Sequence, residues 1–117
     1  MVKKIYIPDF ADFIWLDFDP QAGKEQAKRR PALVLTPKDY NQKTGLLIAC
    51  PVTSQIKNFP FEVAITHKEI KGAVLSDHVK SLDWRIRKAE FIAKSSPEIL
   101  QEVQENIGLL LKILSNA

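Results

Sequence analysis

The sequence predicts one small domain of the mainly β class that ends in a helix. The chain has 117 residues and contains short apolar segments separated by turn residues. Towards the end the apolar residues change period, because Leu100, Val103, Ile107, Leu110 and Leu114 recur at three- and four-residue intervals. That spacing is typical of one face of an amphipathic helix. Five to seven short strands and one helix over residues 1–117 indicate a mostly antiparallel sheet or small barrel.

The first half of the chain alternates between strands and a basic loop. Asp12–Phe18 is rich in aromatic and branched residues and is predicted to be a strand. Residues 20–31 hold two prolines, a glycine and several cations, which predicts a loop. Ala32–Thr36 is predicted to be a buried strand, and Lys38–Lys43 a helical turn.

The second half continues with short strands. Leu46–Cys50 is an apolar run that Pro51 is expected to end, and Phe61–Ile65 and Ala73–Leu75 are further strands. Two more strands are expected to pair with each other, namely Val79–Leu82 and Ala89–Ala93.

The predicted C-terminal helix has a clear start. Ser95 and Ser96 are candidate caps, and Pro97 suits the first helical position. Leucine and isoleucine side chains at Leu109, Leu111 and Ile113 widen the apolar face. This face either closes the core or also packs on a partner.

Composition restricts the class of protein. The apolar fraction is 45%, and no apolar run approaches the roughly 20 residues that span a bilayer. We expect no secretory signal and no membrane partner. Cys50 is the only cysteine, which excludes an internal disulfide and fits a cytoplasmic location.

The net charge of +3 is concentrated in two basic patches. The patches contain Lys24, Lys28, Arg29 and Arg30 in the first, and Lys80, Arg85, Arg87 and Lys88 in the second. Such clusters indicate a protein that binds polyanions, although a solvated charged surface has the same composition.

The sequence shows no recognisable metal site and no glycine-rich phosphate-binding loop. One cysteine and two histidines give no zinc-ligand spacing, and the four glycines lie too far apart for a phosphate loop. We therefore expect no metal and no cofactor.

Two short elements carry candidate phosphate-binding groups. Arg30 precedes Pro31, which favours an extended backbone and a guanidinium held at the mouth of a strand. Thr53 and Ser54 follow the predicted strand at Leu46–Cys50. Their hydroxyls either bind a phosphate oxygen or make a local turn, and Arg30 is otherwise a surface arginine. Farther along, Asp77 and His78 point to opposite faces if that segment is extended, so that only one of them faces a shared cleft.

These elements, in this order and spacing, resemble the MazF/PemK family of bacterial toxin endoribonucleases, and its MazF branch fits best. The resemblance spans the chain and includes Ile14–Pro20, Arg30–Leu35, Tyr40–Gly45, Pro51–Gln55 and Asp77–Arg85. It implies an SH3-like barrel of the CcdB/PemK type, a homodimer, and a toxin of a type II toxin–antitoxin system. It further implies sequence-specific, metal-independent cleavage of single-stranded RNA to 2′,3′-cyclic phosphate and 5′-hydroxyl ends, which inhibits translation. The implied partner is a small acidic antitoxin of the MazE type.

The resemblance also assigns site residues. The catalytic set falls on Arg30, Thr53 and Glu25, with Arg30 and Thr53 stabilising charge on the phosphate and Glu25 as general base. The residues expected to bind RNA are Lys24, Gln26, Lys28, Arg29, Ser54, Gln55, Lys57, Asp77, His78, Lys80, Arg85 and Arg87. Candidate stacking aromatics are Phe18, Phe59 and Trp84, each of which is otherwise a core residue.

Three features of the sequence depart from the family pattern. Lys28 and Arg29 stand where the family often has glycine or a small polar residue. The His, Arg and Asp set of the PemK/Kid branch maps to Lys24, Leu75 and Asp77, so only the aspartate is kept. His78 stands where MazF-type sequences commonly have glutamine, and it either contacts a base or tunes activity with pH.

Two other functions remain as alternatives. A gyrase poison of the CcdB type shares the implied fold, but its activity depends on a C-terminal Trp-Gly-Ile, whereas this sequence ends in Ser115-Asn116-Ala117. A non-catalytic nucleic-acid-binding barrel needs the basic loop but not Glu25, Arg30 and Thr53 together.

Overall fold

In the part of the chain that the structure describes, seven strands form one antiparallel sheet, and a C-terminal helix packs on it. The computed structural model describes residues 4–18 and 29–113. In chain order the elements are β1 Asp12–Asp17, β2 Arg29–Val34, α1 Lys38–Thr44, β3 Leu46–Thr53, β4 Glu62–Ala64, β5 Ala73–Leu75, a 3-10 turn at Ser76–His78, β6 Lys80–Asp83, β7 Glu90–Lys94 and α2 Pro97–Leu110. The strand order is β4-β5-β3-β2-β1-β7, with β6 also paired to β3. The predicted fold class is confirmed, but the terminal strands β4 and β7 do not pair, so the described sheet is open.

The strand β3 lies at the centre of the sheet. It pairs with β2 on one side and, on the other, with β6 along Leu46–Ala49 and with β5 along Val52–Thr53. Pro51 lies in the short interval of β3 that pairs with neither β6 nor β5. A residue without an N–H costs little hydrogen bonding there. The strand therefore continues to Thr53, and the prediction that it ends at Pro51 is wrong.

The boundaries of β2 also differ from the prediction. β2 begins at Arg29, inside the predicted loop, and ends at Val34 rather than Thr36. Its first residues pair with β1, with Arg29 opposite Asp17 and Pro31 opposite Trp15. Pairing with a neighbouring strand thus extends β2 backwards through Pro31, which local turn chemistry alone does not reveal.

The predicted pairing of the last two strands with each other is wrong. β6 pairs with β3, whereas β7 pairs with β1. Between them Trp84 is buried, and its indole N–H donates to the Asn41 carbonyl at 2.9 Å. Farther along, the Arg87 carbonyl accepts a hydrogen bond from the Asp17 N–H at 2.9 Å. Through these contacts the segment between β6 and β7 crosses from the β3 side of the sheet to its β1 side.

The start of α2 is confirmed, and its inward face is partly as predicted. Ser96 caps the helix by accepting a hydrogen bond from the Ile99 N–H at 3.2 Å, and Pro97 is the first helical residue. Ile99 and Val103 are buried, but Leu110 is 42% exposed, so it does not belong to the core stripe. Leu114 lies outside the described residues. Neither helix of the described chain is long and apolar enough to cross a membrane.

Both faces of the sheet are buried. Alternate residues of β1 and β2 enter two core clusters, since Phe13 and Leu33 face α2 whereas Ile14, Ala32 and Val34 face away from it. This arrangement explains why apolar residues follow one another directly within β1 and β2, as at Phe13-Ile14 and Ala32-Leu33-Val34.

Cys50 is buried in the cluster beneath α2, and its thiol is predicted to be unreactive in the folded protein. Burial, with a smaller effect from the Asp77 charge, raises the pKa of the thiol to about 12. At pH 8 the thiolate fraction falls roughly a thousandfold below that of a free cysteine. Alkylation of Cys50 by iodoacetamide should therefore be correspondingly slow in the folded protein. Unfolding in urea should raise the alkylation rate to that of a free cysteine. Equal rates in the two states would contradict this burial.

Candidate active site

A polar pocket of about 330 Å³ opens at the edge of the sheet where β2 begins and β3 ends. Its lining comprises Arg29, Arg30, Pro31, Val52, Thr53, Ser54, Gln55 and Lys71. The pocket brings together two of the three predicted catalytic residues, Arg30 and Thr53, with the predicted RNA-binding residues Arg29, Ser54 and Gln55.

The pairing of β2 with β3 explains why Arg30 and Thr53 meet. Ala32 pairs with Pro51, and in an antiparallel pair each step back along one strand is a step forward along the other. Continuing this register by two residues places Arg30 opposite Thr53. Two residues that are distant in sequence thus reach the same pocket through one strand pairing.

The hydroxyl of Thr53 is oriented by its own backbone turn. Its Oγ1 accepts a hydrogen bond from the Gln55 N–H at 3.1 Å. Because a hydroxyl both accepts and donates, this bond leaves the O–H proton available to a substrate oxygen. The local turn and the phosphate-binding role, which the sequence offered as alternatives, are therefore compatible in this geometry.

Gly72 packs against the backbone of Thr53. Its φ is +138°, and a Cβ at this position would lie 1.9 Å from the Thr53 carbonyl oxygen. The next residue, Ala73, pairs with Thr53 across β5 and β3. Only glycine permits this approach, so the location of Thr53 depends on residue 72 lacking a side chain.

The neighbouring arginines Arg29 and Arg30 have different surroundings. The guanidinium of Arg29 donates to Asp17 at 2.8 Å, to Glu90 at 3.0 Å and to the Lys88 carbonyl at 2.8 Å. Partial burial lowers the pKa of Arg29, but its hydrogen bonds to the two carboxylates and their charges outweigh this and raise the pKa above its ordinary value. Arg29 thus ties β2 to β1 and β7, and its contact with RNA stays a prediction.

Arg30 is exposed and, within the described residues, has no ion-pair partner. Successive side chains of a strand point to opposite faces, which separates Arg30 from the carboxylates that hold Arg29. Its guanidinium is therefore the one of the two that is available to an anion in the pocket.

The second basic patch lies away from the pocket and is partly structural. Arg85 donates to the Gln42 carbonyl at 2.6 Å and covers the Trp84 ring. It lies near the opposite end of β3 from Thr53, roughly 23 Å away along the strand. Arg87 donates to the carbonyls of Asp17 and Phe18. Lys80 lies over the Phe18 ring, 5.7 Å from its centroid.

Asp77 and His78 are close together rather than on opposite faces. They lie in a 3-10 turn after β5, not in an extended segment, and His78 Nε2 is 3.9 Å from Asp77 Oδ1. Both side chains are exposed, but neither lines the pocket. Lys57 is also exposed outside it.

Several predicted residues are not placed by the structure. Lys24, Glu25, Gln26 and Lys28 lie outside the described residues. Of the candidate stacking aromatics, Trp84 is a core residue, whereas Phe59 is 60% exposed. Within residues 4–18 and 29–113, no three His, Cys, Asp or Glu side chains are grouped closely enough to hold a metal ion.

Sequence reasoning missed Lys71. It lines the pocket but belongs to neither basic patch, and it follows no recognisable motif. The available signal was the Lys-Gly pair directly before a predicted strand, because a glycine at such a place often marks a close approach of two backbones.

Similarity to known proteins extends over most of the chain. A family model described as "PemK-like, MazF-like toxin of type II toxin-antitoxin system" matches residues 9–111. The chain is 47% identical to the endoribonuclease toxin MazF of Escherichia coli strain K12 over 106 residues, which cover 91% of this chain and 96% of that protein.

Two solved structures from Deinococcus radiodurans are similar in fold and sequence. The crystal structure of MazF has a TM-score of 0.84 and 51% identity, and the match covers 92% of this chain and 99% of that chain. A crystal structure of MazE–MazF has a TM-score of 0.82 and 47% identity, with coverage of 92% and 98%.

The contrast between the two arginines predicts that only one of them contributes to stability. Arg29→Met removes three hydrogen bonds and leaves the largely buried carboxylate of Asp17 without its partner, so the free energy of unfolding should fall by about 1–2 kcal/mol. Arg30→Met should leave it unchanged. Urea unfolding followed by tryptophan fluorescence measures both, and equal effects would contradict the proposed division of roles.

Proposed function

Because the chain belongs to the PemK-like, MazF-like toxin family and is an endoribonuclease toxin of a type II toxin–antitoxin system, we propose that it cleaves single-stranded RNA in the pocket of Arg30 and Thr53. The observation that carries this assignment is the meeting of an available guanidinium and an oriented hydroxyl in one polar pocket. The gyrase-poison and non-catalytic alternatives are not favoured, since the similar proteins are named endoribonucleases.

The proposed reaction uses the RNA as its own nucleophile. The 2′-oxygen attacks the adjacent phosphorus, the 2′-O–P bond forms, and the bond from phosphorus to the 5′-oxygen breaks. The 2′-hydroxyl gives up its proton, and the departing 5′-oxygen takes one up. The products are a 2′,3′-cyclic phosphate and a 5′-hydroxyl, with no metal ion in the proposed step.

Arg30 and Thr53 act on the phosphate in this scheme. Negative charge grows on the non-bridging oxygens as the transition state forms, and donors aimed at that charge supply a large part of catalysis. A guanidinium offers two parallel N–H donors to a phosphate, and the Thr53 hydroxyl offers a third donor. Arginine itself is a poor proton acceptor, because its pKa exceeds about 12.

Glu25 is the proposed general base, an assignment that rests on the family resemblance. The residue lies outside the described part of the chain, ahead of Arg29 at the start of β2. Lys24, Gln26 and Lys28 belong to the same segment and are proposed to contact RNA.

Base recognition is proposed to involve exposed residues around and beyond the pocket. Ser54 and Gln55 line the pocket, while Lys57 and His78 are exposed outside it. Single-stranded RNA presents unstacked bases to such side chains, and this is how most sequence-specific RNA recognition occurs. Asp77, Lys80 and the two arginines of the second patch are assigned flanking contacts.

The proposed assembly is a cytoplasmic homodimer that a small acidic antitoxin of the MazE type inhibits by covering the RNA groove. Support for the antitoxin comes from the similar MazE–MazF structure of Deinococcus radiodurans. Support for the homodimer comes from exposed apolar side chains at the end of α2, since such a patch favours burial against another protein. These side chains are Leu109, Leu110, Leu111 and Ile113.

Cleavage without metal is the first expected outcome. Purified protein in EDTA should cut a long single-stranded RNA at discrete sites and leave 5′-hydroxyl ends, which polynucleotide kinase labels directly. Arg30→Met and Thr53→Val should each lower the rate by at least about 100-fold, because each removes a donor to the transition state.

Thr53→Ser is the matched control for the hydroxyl. It retains the oxygen and should preserve much more activity than Thr53→Val. Uncut RNA with the wild-type protein would contradict the proposed function, whereas wild-type rates in both Arg30→Met and Thr53→Val would contradict only the site.

Light scattering tests the dimer. The mass should be twice the 13.3 kDa of one chain, and Leu111→Glu should increase dissociation, because it places a charge in the apolar patch. Gln42→Glu adds the same charge at an exposed position of α1 and should leave the mass unchanged. A monomeric wild-type protein would exclude the homodimer.

A further inference from the structure

We propose that Lys71 binds an RNA backbone phosphate next to the scissile one, as a second available cation of the pocket. This inference rests on the proposed function. It assigns a residue that lies outside both basic patches and that the family resemblance did not indicate.

Contacts of the residues on both sides of Lys71 hold its backbone in place, so its side chain extends from a fixed position. Ile70 before it is 2% exposed and bridges to His67, and Gly72 after it accepts a hydrogen bond from the Ile65 N–H at 3.0 Å. The close approach of Gly72 to Thr53 then fixes the position of Lys71 relative to the hydroxyl.

Positively charged residues flank Thr53 on both sides in the pocket. The strand order β5-β3-β2 places Lys71, just before β5, on one side of Thr53 and Arg30, on β2, on the other. Adjacent strands lie about 4.8 Å apart, so the two backbone positions are separated by roughly 10 Å. An RNA strand that crosses the pocket with its scissile phosphate at Arg30 and Thr53 therefore brings a neighbouring phosphate towards Lys71.

The other cation of the lining is already neutralised. Arg29 is paired with Asp17 and Glu90, whereas neither Lys71 nor Arg30 has an ion-pair partner within the part of the chain that the structure describes. Lys71 is exposed, and an ammonium group is a hydrated point charge without the fork geometry of arginine. Such a charge contributes to RNA binding equally in the ground state and the transition state.

Lys71→Gln tests this role, with Lys68→Gln as the matched control. Lys68 is an exposed lysine in the same turn that does not line the pocket, so both variants lose one charge from one loop. The sites of wild-type cleavage are mapped first, and a short RNA with a 2′-O-methyl group at the cut site is then used to measure Kd against salt concentration.

We expect Lys71→Gln to raise Kd about 3- to 10-fold and to reduce the slope of log K against log salt by about 0.7, the value for one phosphate contact on a single strand. Its kcat should stay within about twofold of wild type, and Lys68→Gln should match wild type throughout. A neutral methylphosphonate at the adjacent phosphate should weaken wild-type binding but have no further effect on Lys71→Gln.

Three results would overturn the inference. One is identical binding and salt dependence in the two lysine variants, and another is an equal response of wild type and Lys71→Gln to the methylphosphonate. The third is a large fall in kcat with unchanged Kd, which would place Lys71 at the reacting phosphate instead. In each case the wild-type protein still cleaves RNA, so the proposed function stands; a wild-type protein that does not cleave RNA would contradict that function itself.

Discussion

The pairing register of β2 with β3 is the constraint on which the pocket and the core both depend. It directs Arg30 and Thr53 to the same pocket, and it also sorts Leu33 and Cys50 into one core cluster and Val34 and Ala49 into the other. A slip of one residue would turn every side chain of a strand to the other face of the sheet. Since both faces are buried, such a slip would move the side chains of one core cluster into the other and disrupt the packing of both. The energetics of the core therefore hold the proposed catalytic residues in register.

Arginines of similar appearance in the sequence divide into structural and available groups. Arg29, Arg85 and Arg87 donate to carboxylates or carbonyls of the same chain, whereas Arg30 lines the pocket without such a partner among residues 4–18 and 29–113. Carbonyl groups that emerge at loops and strand ends need donors, and the guanidinium, with its five N–H groups, supplies them over a long reach. Positive charge near the proposed RNA site thus serves the fold as well as the ligand.

Neighbouring residues in the sequence were sufficient to predict some features of the structure but not others. The Ser96-Pro97 cap, the helical periodicity and the strand at Ala73–Leu75 were predictable, because each depends on neighbouring residues. Strand ends at Pro31 and Pro51 were misplaced because pairing partners extend both strands. Of the site, local sequence made Arg30 and Thr53 candidate phosphate-binding residues, and the family resemblance assigned them as catalytic. Lys71 came from neither source, because only the packing of Gly72 on Thr53 brings it to the pocket.

The contact between Gly72 and Thr53 has a genetic consequence. Every amino acid other than glycine carries a Cβ, and that atom would collide with a backbone carbonyl, which cannot move aside as a flexible side chain does. Any missense change of the Gly72 codon therefore disturbs the proposed catalytic threonine while leaving each side chain of the pocket chemically intact. A cell under growth arrest from such a toxin thus has a one-step route to escape at a codon that a survey of catalytic residues alone would overlook.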